Sequence, residues 1–109
     1  MKKLLIGIAC LIVATTGHAD YNANIAGELE GVYVYSGGDY IDFRFKNQPS
    51  THPGCSPTYF VIADTVPAER RRMMLARLLA AYALKEVVNI GFDNSGDCVH
   101  GYVRVHRAG

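Results

Sequence analysis

Two cysteines and two histidines stand in pairs whose spacing would let them share one chemistry. His52 and Cys55 are three residues apart, and Cys98 and His100 are two apart. Two thiolates and two imidazoles form a donor set typical of structural zinc, although the second spacing is tighter than such sites usually show. In an oxidising compartment the same cysteines would instead form a disulfide. Either chemistry requires the two loops that carry these residues to meet.

A second set of candidate residues lies at the outward positions of two predicted strands. Aromatic rings beside arginine and histidine can stack on sugar rings and hydrogen-bond to sugar hydroxyls. Tyrosine is also frequent on exposed strands because of its strand propensity alone, so a purely structural role stays open. The predicted binding residues are Tyr40, Arg44, Tyr102, Arg104 and His106.

Two further charged segments have plainer interpretations. Segment 93–97 carries oxygen ligands at alternate positions, as a calcium loop does, but lacks the distal Glu and is also typical of a tight turn. The run Arg70–Arg72 would suit a small anion, but a solvated first helical turn beside Glu69 is favoured. The sequence contains no Gly-x-Ser-x-Gly elbow, and it predicts no catalytic residue, metal or cofactor.

Hydrophobic periodicity predicts five strands and one helix. Residues 40–46 alternate between apolar and polar side chains, with Asp42 on the polar side. Gly27 and Gly31 interrupt the first strand and predict a bulge or a bend. Pro67 predicts the start of the helix, because the first helical position needs no N–H. The predicted strands are residues 23–35, 40–46, 58–64, 87–92 and 101–107, and the predicted helix is residues 68–86.

The order of these elements indicates a fold class. A long glycine-bent first strand and a helix between the third and fourth strands are features of the OB-fold, a five-stranded Greek-key barrel. We therefore predict an α+β, mostly β domain, an OB-fold-like barrel with the order β-β-β-α-β-β. The alternative is an open antiparallel sheet with the helix packed across one face.

From Cys55 onward the sequence resembles a family of small exported bacterial proteins that includes the B subunits of subtilase-type cytotoxins. The matching features are a cysteine before an apolar strand, a proline-led helix with the core Leu78–Ala83, the strand Val87–Ile90 and a second cysteine, Cys98. The resemblance implies an OB-fold, and the toxin members assemble as pentamers that bind cell-surface glycans. It assigns no glycan-contacting residue to this chain.

The N-terminus has the layout of a bacterial secretory leader. Two lysines precede an apolar run, and small residues occupy Gly17 and Ala19 before a cut at Asp20. The apolar run is too short for a membrane span, which takes about 20 residues. The sequence therefore predicts a signal peptide over residues 1–19 and a single domain over residues 20–109.

Export decides between the two chemistries of the cysteines. Cleavage removes Cys10 and leaves Cys55 and Cys98 to pair in an oxidising space, while a lipid-modified Cys10 is disfavoured by the leader layout. The disulfide is therefore predicted over the zinc site, and closing a loop of about forty residues would contribute roughly 4 kcal/mol. Removing Lys2 and Lys3 changes the formal net charge from +1 to −1, and this near-neutral balance predicts no nucleic-acid partner.

These features predict a function class. We expect an exported protein, periplasmic or secreted, that acts as a binding module for a cell-surface glycan or a protein, without a membrane span. The resemblance adds the expectation of a homo-oligomer. The alternative is a small periplasmic enzyme or enzyme inhibitor with its site at the loop between the fourth and fifth strands.

Overall fold

The structure, a computed structural model, describes residues 21–109. The predicted signal peptide, residues 1–19 with its cut before Asp20, lies outside the described residues. The strands are β1 (Ala23–Val34), β2 (Ile41–Phe45), β3 (Ser56–Ile62), β4 (Val87–Phe92), β5 (Cys98–Val99) and β6 (Tyr102–Ala108), and the helix is α1 (Ala68–Leu84).

Five of these strands form a closed barrel. β1 pairs antiparallel with β2 and with β4, β2 continues to β3, and β4 continues to β6. A parallel pairing of β3 with β6 closes the ring. The closed barrel with one helix is consistent with the predicted OB-like barrel, and it excludes the open sheet.

The bend in β1 lets one strand serve both sides of the barrel. Residues 23–28 pair with β4, whereas Leu29 to Val34 pair with β2. The register shifts between Leu29 and Gly31, so the irregularity lies at one of the two glycines that predicted it.

The short strand β5 is an element that the sequence analysis missed. It forms a hairpin with β6, where only a turn leading into the last strand was predicted. The two turn residues between them, His100 and Gly101, have positive φ of 52° and 86°. A two-residue hairpin turn of type I′ needs positive φ at both positions, and Asn-Gly or Gly-Gly is its usual sequence. Because the first position is histidine, the sequence here does not indicate such a turn.

Helix α1 packs against the barrel through its middle turns. Leu78 and Ala81 are fully buried in the core. Pro67 occupies the N-cap position rather than the predicted first helical position, and no side chain caps the helix. Instead, the half-buried Arg71 folds back and donates hydrogen bonds from Nη1 to the carbonyls of Asp64 and Val66, at 3.2 and 2.7 Å. Within residues 21–109 no helix is long and apolar enough to span a membrane.

Apolar packing occurs on both faces of β3. Inside the barrel, Phe60 meets the other core phenylalanines, and on the outer side Val61, Ala63 and Val99 form a second cluster. Tyr40 and Tyr102 pack against that outer cluster. The hairpin of β5 and β6 therefore covers part of the barrel's outer surface, and the candidate site lies beside it.

Candidate functional site

The outer surface around β2 carries most of the tyrosines of this chain. Five of the seven tyrosines lie there with His100, and we call this set the tyrosine face. The ring centroids are 5.6 Å apart for Tyr33 and Tyr59, and 5.3 Å for Tyr59 and Tyr102. The remaining contacts are 5.8 Å between Tyr35 and Tyr40 and 4.5 Å between Tyr40 and His100. The tyrosine face consists of Tyr33, Tyr35, Tyr40, Tyr59, Tyr102 and His100.

Strand alternation explains why these rings share one surface. Successive side chains of a strand point to opposite faces, and cross-strand partners point the same way. Tyr33 of β1 lies opposite Asp42 of β2, and Asp42 lies opposite Val61 of β3. Since Ile41 and Phe43 fill the barrel core, this whole row points outward.

Two glycines make room for the rings. A Cβ atom on Gly31 would collide with the ring and hydroxyl of Tyr33, and one on Gly38 would collide with the ring of Tyr40. Gly31 precedes Tyr33 by two residues within β1 and therefore lies on the same face of that strand. The absence of a side chain at each glycine leaves space for the ring to lie over the backbone.

A buried carboxylate lies among these rings. Asp42 is only 4% exposed, and its Oδ1 has no hydrogen-bond partner among the described residues. Burial raises the pKa of Asp42, and the charge of nearby His100 opposes part of that effect. Asp42 lies on the face of β2 opposite Ile41 and Phe43, as predicted, but it is buried there rather than exposed like an ordinary polar-face residue. The outer cluster around Val61 covers this part of the strand, and that cover is a tertiary effect.

Arg44 forms one border of the tyrosine face. Its guanidinium carbon lies 6.0 Å from the centroid of the Tyr59 ring. Nη1 donates a hydrogen bond to the Thr58 carbonyl at 3.1 Å, and Nε lies 3.6 Å from the Glu30 carboxylate, too far for a hydrogen bond. The charge of Arg44 is therefore directed toward Glu30 and the β3 backbone.

The five predicted binding residues fall into two groups. Tyr40, Arg44 and Tyr102 belong to the tyrosine face or its border. Arg104 and His106 instead hold the carboxylate of Asp97, with nitrogen–oxygen distances of 2.9 and 2.7 Å. The residues that the sequence analysis did not select are Tyr33, Tyr35, Tyr59, His100 and Asp42. The recurrence of tyrosine two residues apart was a signal for Tyr33 and Tyr35, whereas the other three residues carry no such signal.

We call Asp97 and the two side chains that hold it, Arg104 and His106, the Asp97 group. This group lies beside a separate pocket of about 360 Å³, between the start of α1 and β6. The ring of Tyr21 stacks on His106, with centroids 6.1 Å apart and planes at 21°. The lining residues are Val66, Pro67, Arg70, Met73, Met74, Arg104, Val105 and His106.

The residues of the zinc alternative have other partners. Cys55 and Cys98 lie at disulfide distance, with Cα atoms 5.7 Å apart, which is compatible with an exported protein. Nδ1 of His52 accepts hydrogen bonds from the backbone N–H groups of Gly54 and Cys55. His100 lies on the tyrosine face. Among residues 21–109 there is no group of three or more His, Cys, Asp or Glu side chains placed to hold a metal.

The loop between β4 and β5 is a turn, as predicted. Oδ1 of Asp93 accepts hydrogen bonds from the backbone N–H and the hydroxyl of Ser95, at 3.0 and 2.7 Å. These hydrogen bonds lower the pKa of Asp93, the hydroxyl having the larger effect. Beside this turn, a Cβ atom on Gly54 would collide with the backbone of Gly96, so the two cysteine-bearing loops touch directly.

Replacing Asp42 with Asn is expected to raise the free energy of unfolding at pH 7 by on the order of 1 kcal/mol. Because burial raises the folded-state pKa above the ordinary 3.8, stability from this group is present below pH 3.8 and is lost as pH rises through the raised value. The gain should therefore disappear near pH 3, where both states hold the proton. Urea unfolding of the parent protein and of Asp42→Asn, at pH 7 and near pH 3, measures this gain in stability. An equal gain at the two pH values would contradict the prediction.

Comparisons with known proteins add no relative, because no family model, curated protein or solved structure matches this chain.

Proposed function

We propose that this chain is an exported OB-fold binding module whose tyrosine face holds a glycan. One observation carries the proposal: five tyrosine rings and His100 form two ring clusters on the same side of the barrel, beside a buried carboxylate whose Oδ1 has no hydrogen-bond partner among the described residues. One cluster is Tyr33, Tyr59 and Tyr102, and the other is Tyr35, Tyr40 and His100. In OB-folds generally, the outer face around the second and third strands is a common place for oligosaccharides and oligonucleotides. The tyrosine face occupies that region here.

The chemistry of the face suits a sugar. Tyrosine presents an apolar ring that covers the C–H face of a sugar, and a hydroxyl that can hydrogen-bond to sugar hydroxyls. Tyrosine also has few rotatable bonds, so little entropy is lost when a ligand binds to it. Tyr33 and Tyr40 also contact neighbouring rings, with centroids 5.6 Å from Tyr59 and 4.5 Å from His100 respectively. A surface fixed in advance binds more tightly than one that must order on contact.

Export and assembly are separate parts of the proposal. The leader layout and the disulfide distance of Cys55 and Cys98 both support an oxidising compartment. The resemblance to subtilase-type cytotoxin B subunits supports glycan binding and a homo-oligomer. Neither the compartment nor the assembly depends on which sugar the tyrosine face holds.

Replacing Tyr59 with Ala is expected to weaken glycan binding by about thirtyfold, the effect of losing a central aromatic contact worth ~2 kcal/mol. Tyr59 is the choice because it contacts both Tyr33 and Tyr102. A glycan array with the mature protein identifies the ligand, and calorimetry with that ligand measures the affinity.

The matched control is Tyr82→Ala, which removes an exposed tyrosine on α1, away from the tyrosine face. We expect this variant to bind like the parent protein. Absence of array binding above background, or equal losses in the two variants, would overturn the proposal.

A small enzyme remains the second candidate because of the Asp97 group. Asp97 orients His106 at the edge of the 360 Å³ pocket, and a histidine held by a carboxylate is a common general base. The lining residues include no serine, cysteine or threonine, so water would have to be the nucleophile. An activity at this pocket would survive Tyr59→Ala and be lost in His106→Ala, which separates it from glycan binding.

A further inference from the structure

The carboxylate of Asp42 lacks a cationic hydrogen-bond partner among the described residues. Its Oδ1 is unpaired and screened from water. The nearby guanidinium of Arg44 is directed to Glu30 and to the Thr58 carbonyl. Across Val61, the guanidinium of Arg104 is held by Asp97. A buried carboxylate without a partner is costly to a folded protein, and such groups concentrate at functional sites.

Further carboxylates add negative charge around the same face. Asp39 and Asp64 are both exposed, the first in the turn that follows β1 and the second just after β3. Asp64 lies 4.0 Å from Nε2 of His100, and Asp39 lies 3.9 Å from Arg71. Arg71 itself donates to two backbone carbonyls. These carboxylates and Asp42 therefore leave this side of the barrel attractive to cations.

The aromatic rings of the tyrosine face are a second feature that attracts cations. The faces of tyrosine rings attract cations, and rings grouped around a negative charge form the usual receptor for an ammonium group. Asp42 points outward from β2, between Tyr33 of β1 and Val61 of β3, and Tyr40 lies just before the start of β2. A cation resting on the rings would lie close to a carboxylate whose Oδ1 has no hydrogen-bond partner among the described residues.

We propose that the glycan held on the tyrosine face carries a free amino group, and that Asp42 selects its ammonium form over the acetylated sugar. This inference rests on the proposed glycan-binding function and narrows it to a substrate class. The ammonium group supplies an opposite charge close to the buried carboxylate of Asp42, and the tyrosine rings supply the surface for the sugar. An acetylated amine carries no charge and leaves the carboxylate unpaired.

The test compares two oligosaccharides that share one backbone, a pentamer of glucosamine and a pentamer of N-acetylglucosamine. Calorimetry with the mature protein is expected to show at least about tenfold tighter binding of the glucosamine pentamer, since a screened charge pair of this kind exceeds 1.4 kcal/mol. Asp42→Asn is expected to make the two affinities similar, because it should weaken the binding of the glucosamine pentamer only. The matched control Asp39→Asn removes an exposed carboxylate of the same side and should keep most of the preference.

The outcomes separate this inference from the function on which it rests. Equal binding of the two pentamers, or an equal loss of both in Asp42→Asn, overturns the selection of an amino group. Binding of other glycans on an array, with neither pentamer bound, overturns it as well while the glycan-binding function stands. If no glycan binds at all, both proposals fail. A preference lost equally in Asp39→Asn and Asp42→Asn would assign the effect to surface charge and overturn the role of Asp42.

Discussion

Replacing Cys55 and Cys98 together with Ala is expected to lower the free energy of unfolding by about 4 kcal/mol. The pair is separated by 43 residues in the sequence, and joining them removes much of the conformational freedom of the unfolded chain. A domain of this size has a total stability of roughly 5 to 10 kcal/mol. The variant should therefore be close to unfolding at 37 °C.

The position of the two cysteines in the fold increases the expected effect of their bond on stability. Cys55 directly precedes β3 and Cys98 begins β5, so the bond would join the two segments next to the parallel pairing of β3 with β6. That pairing closes the barrel, and the backbone N–H of Ser56 donates to the Gly101 carbonyl at 2.8 Å at the same end. Without the bond, we expect this closure to open before the rest of the barrel.

Guanidinium unfolding of the mature protein, with and without a reductant, measures the effect. Reduction and the double substitution should give the same loss, and the reductant should not change the double variant. Thiol labelling of the native protein supplies an independent check, because two reactive thiols would show that the bond does not form. A double variant within 1 kcal/mol of the parent would show that the bond contributes little.

The sequence predicts those elements of the fold that are specified by local residue patterns. The core strand β2 was predictable because its apolar residues alternate without interruption from Ile41 to Phe45. The end of α1 was not, since Lys85 ends the helix with a φ of 58°, where glycine is the usual signal. β5 was missed for the related reason that His100 occupies the first turn position. Both misses occur where a residue other than glycine adopts a left-handed conformation.

The candidate site was predictable only in part because it assembles across strands. Tyr40 and Tyr102 were selected as outward residues, but alternation within a strand cannot show which outward faces meet after the barrel closes. Arg104 has the same outward pattern as Tyr102, yet Asp97 from the preceding loop engages it. Asp42 lies opposite Val61, and Val61 packs with Val99 of β5 in the outer cluster, so its surroundings come from two other strands. Closure of the barrel is therefore the step that creates the site.

Replacing Phe60 with Ala is expected to lower the free energy of unfolding by about 3 to 5 kcal/mol. Phe60 is 1% exposed, and its ring lies 5.9, 5.8 and 5.4 Å from those of Phe43, Phe45 and Phe92. The residue also pairs with β2 on one side and with β6 on the other. Truncation would leave a cavity at the point where three strands and four rings meet.

Chemical unfolding of Phe60→Ala, Phe60→Leu and Tyr82→Ala separates cavity formation from the loss of an aromatic group. Phe60→Leu keeps most of the volume and should lose about half as much, because the cost of a core truncation grows with the cavity that remains. Tyr82→Ala removes a ring that is 47% exposed on α1 and should change stability by about 0.5 kcal/mol at most. A loss below 2 kcal/mol in Phe60→Ala would mean that the ring cluster does not form the centre of the core. The closed barrel depends on that cluster, because the rings of Phe43, Phe60 and Phe92 connect β2, β3 and β4 through its interior.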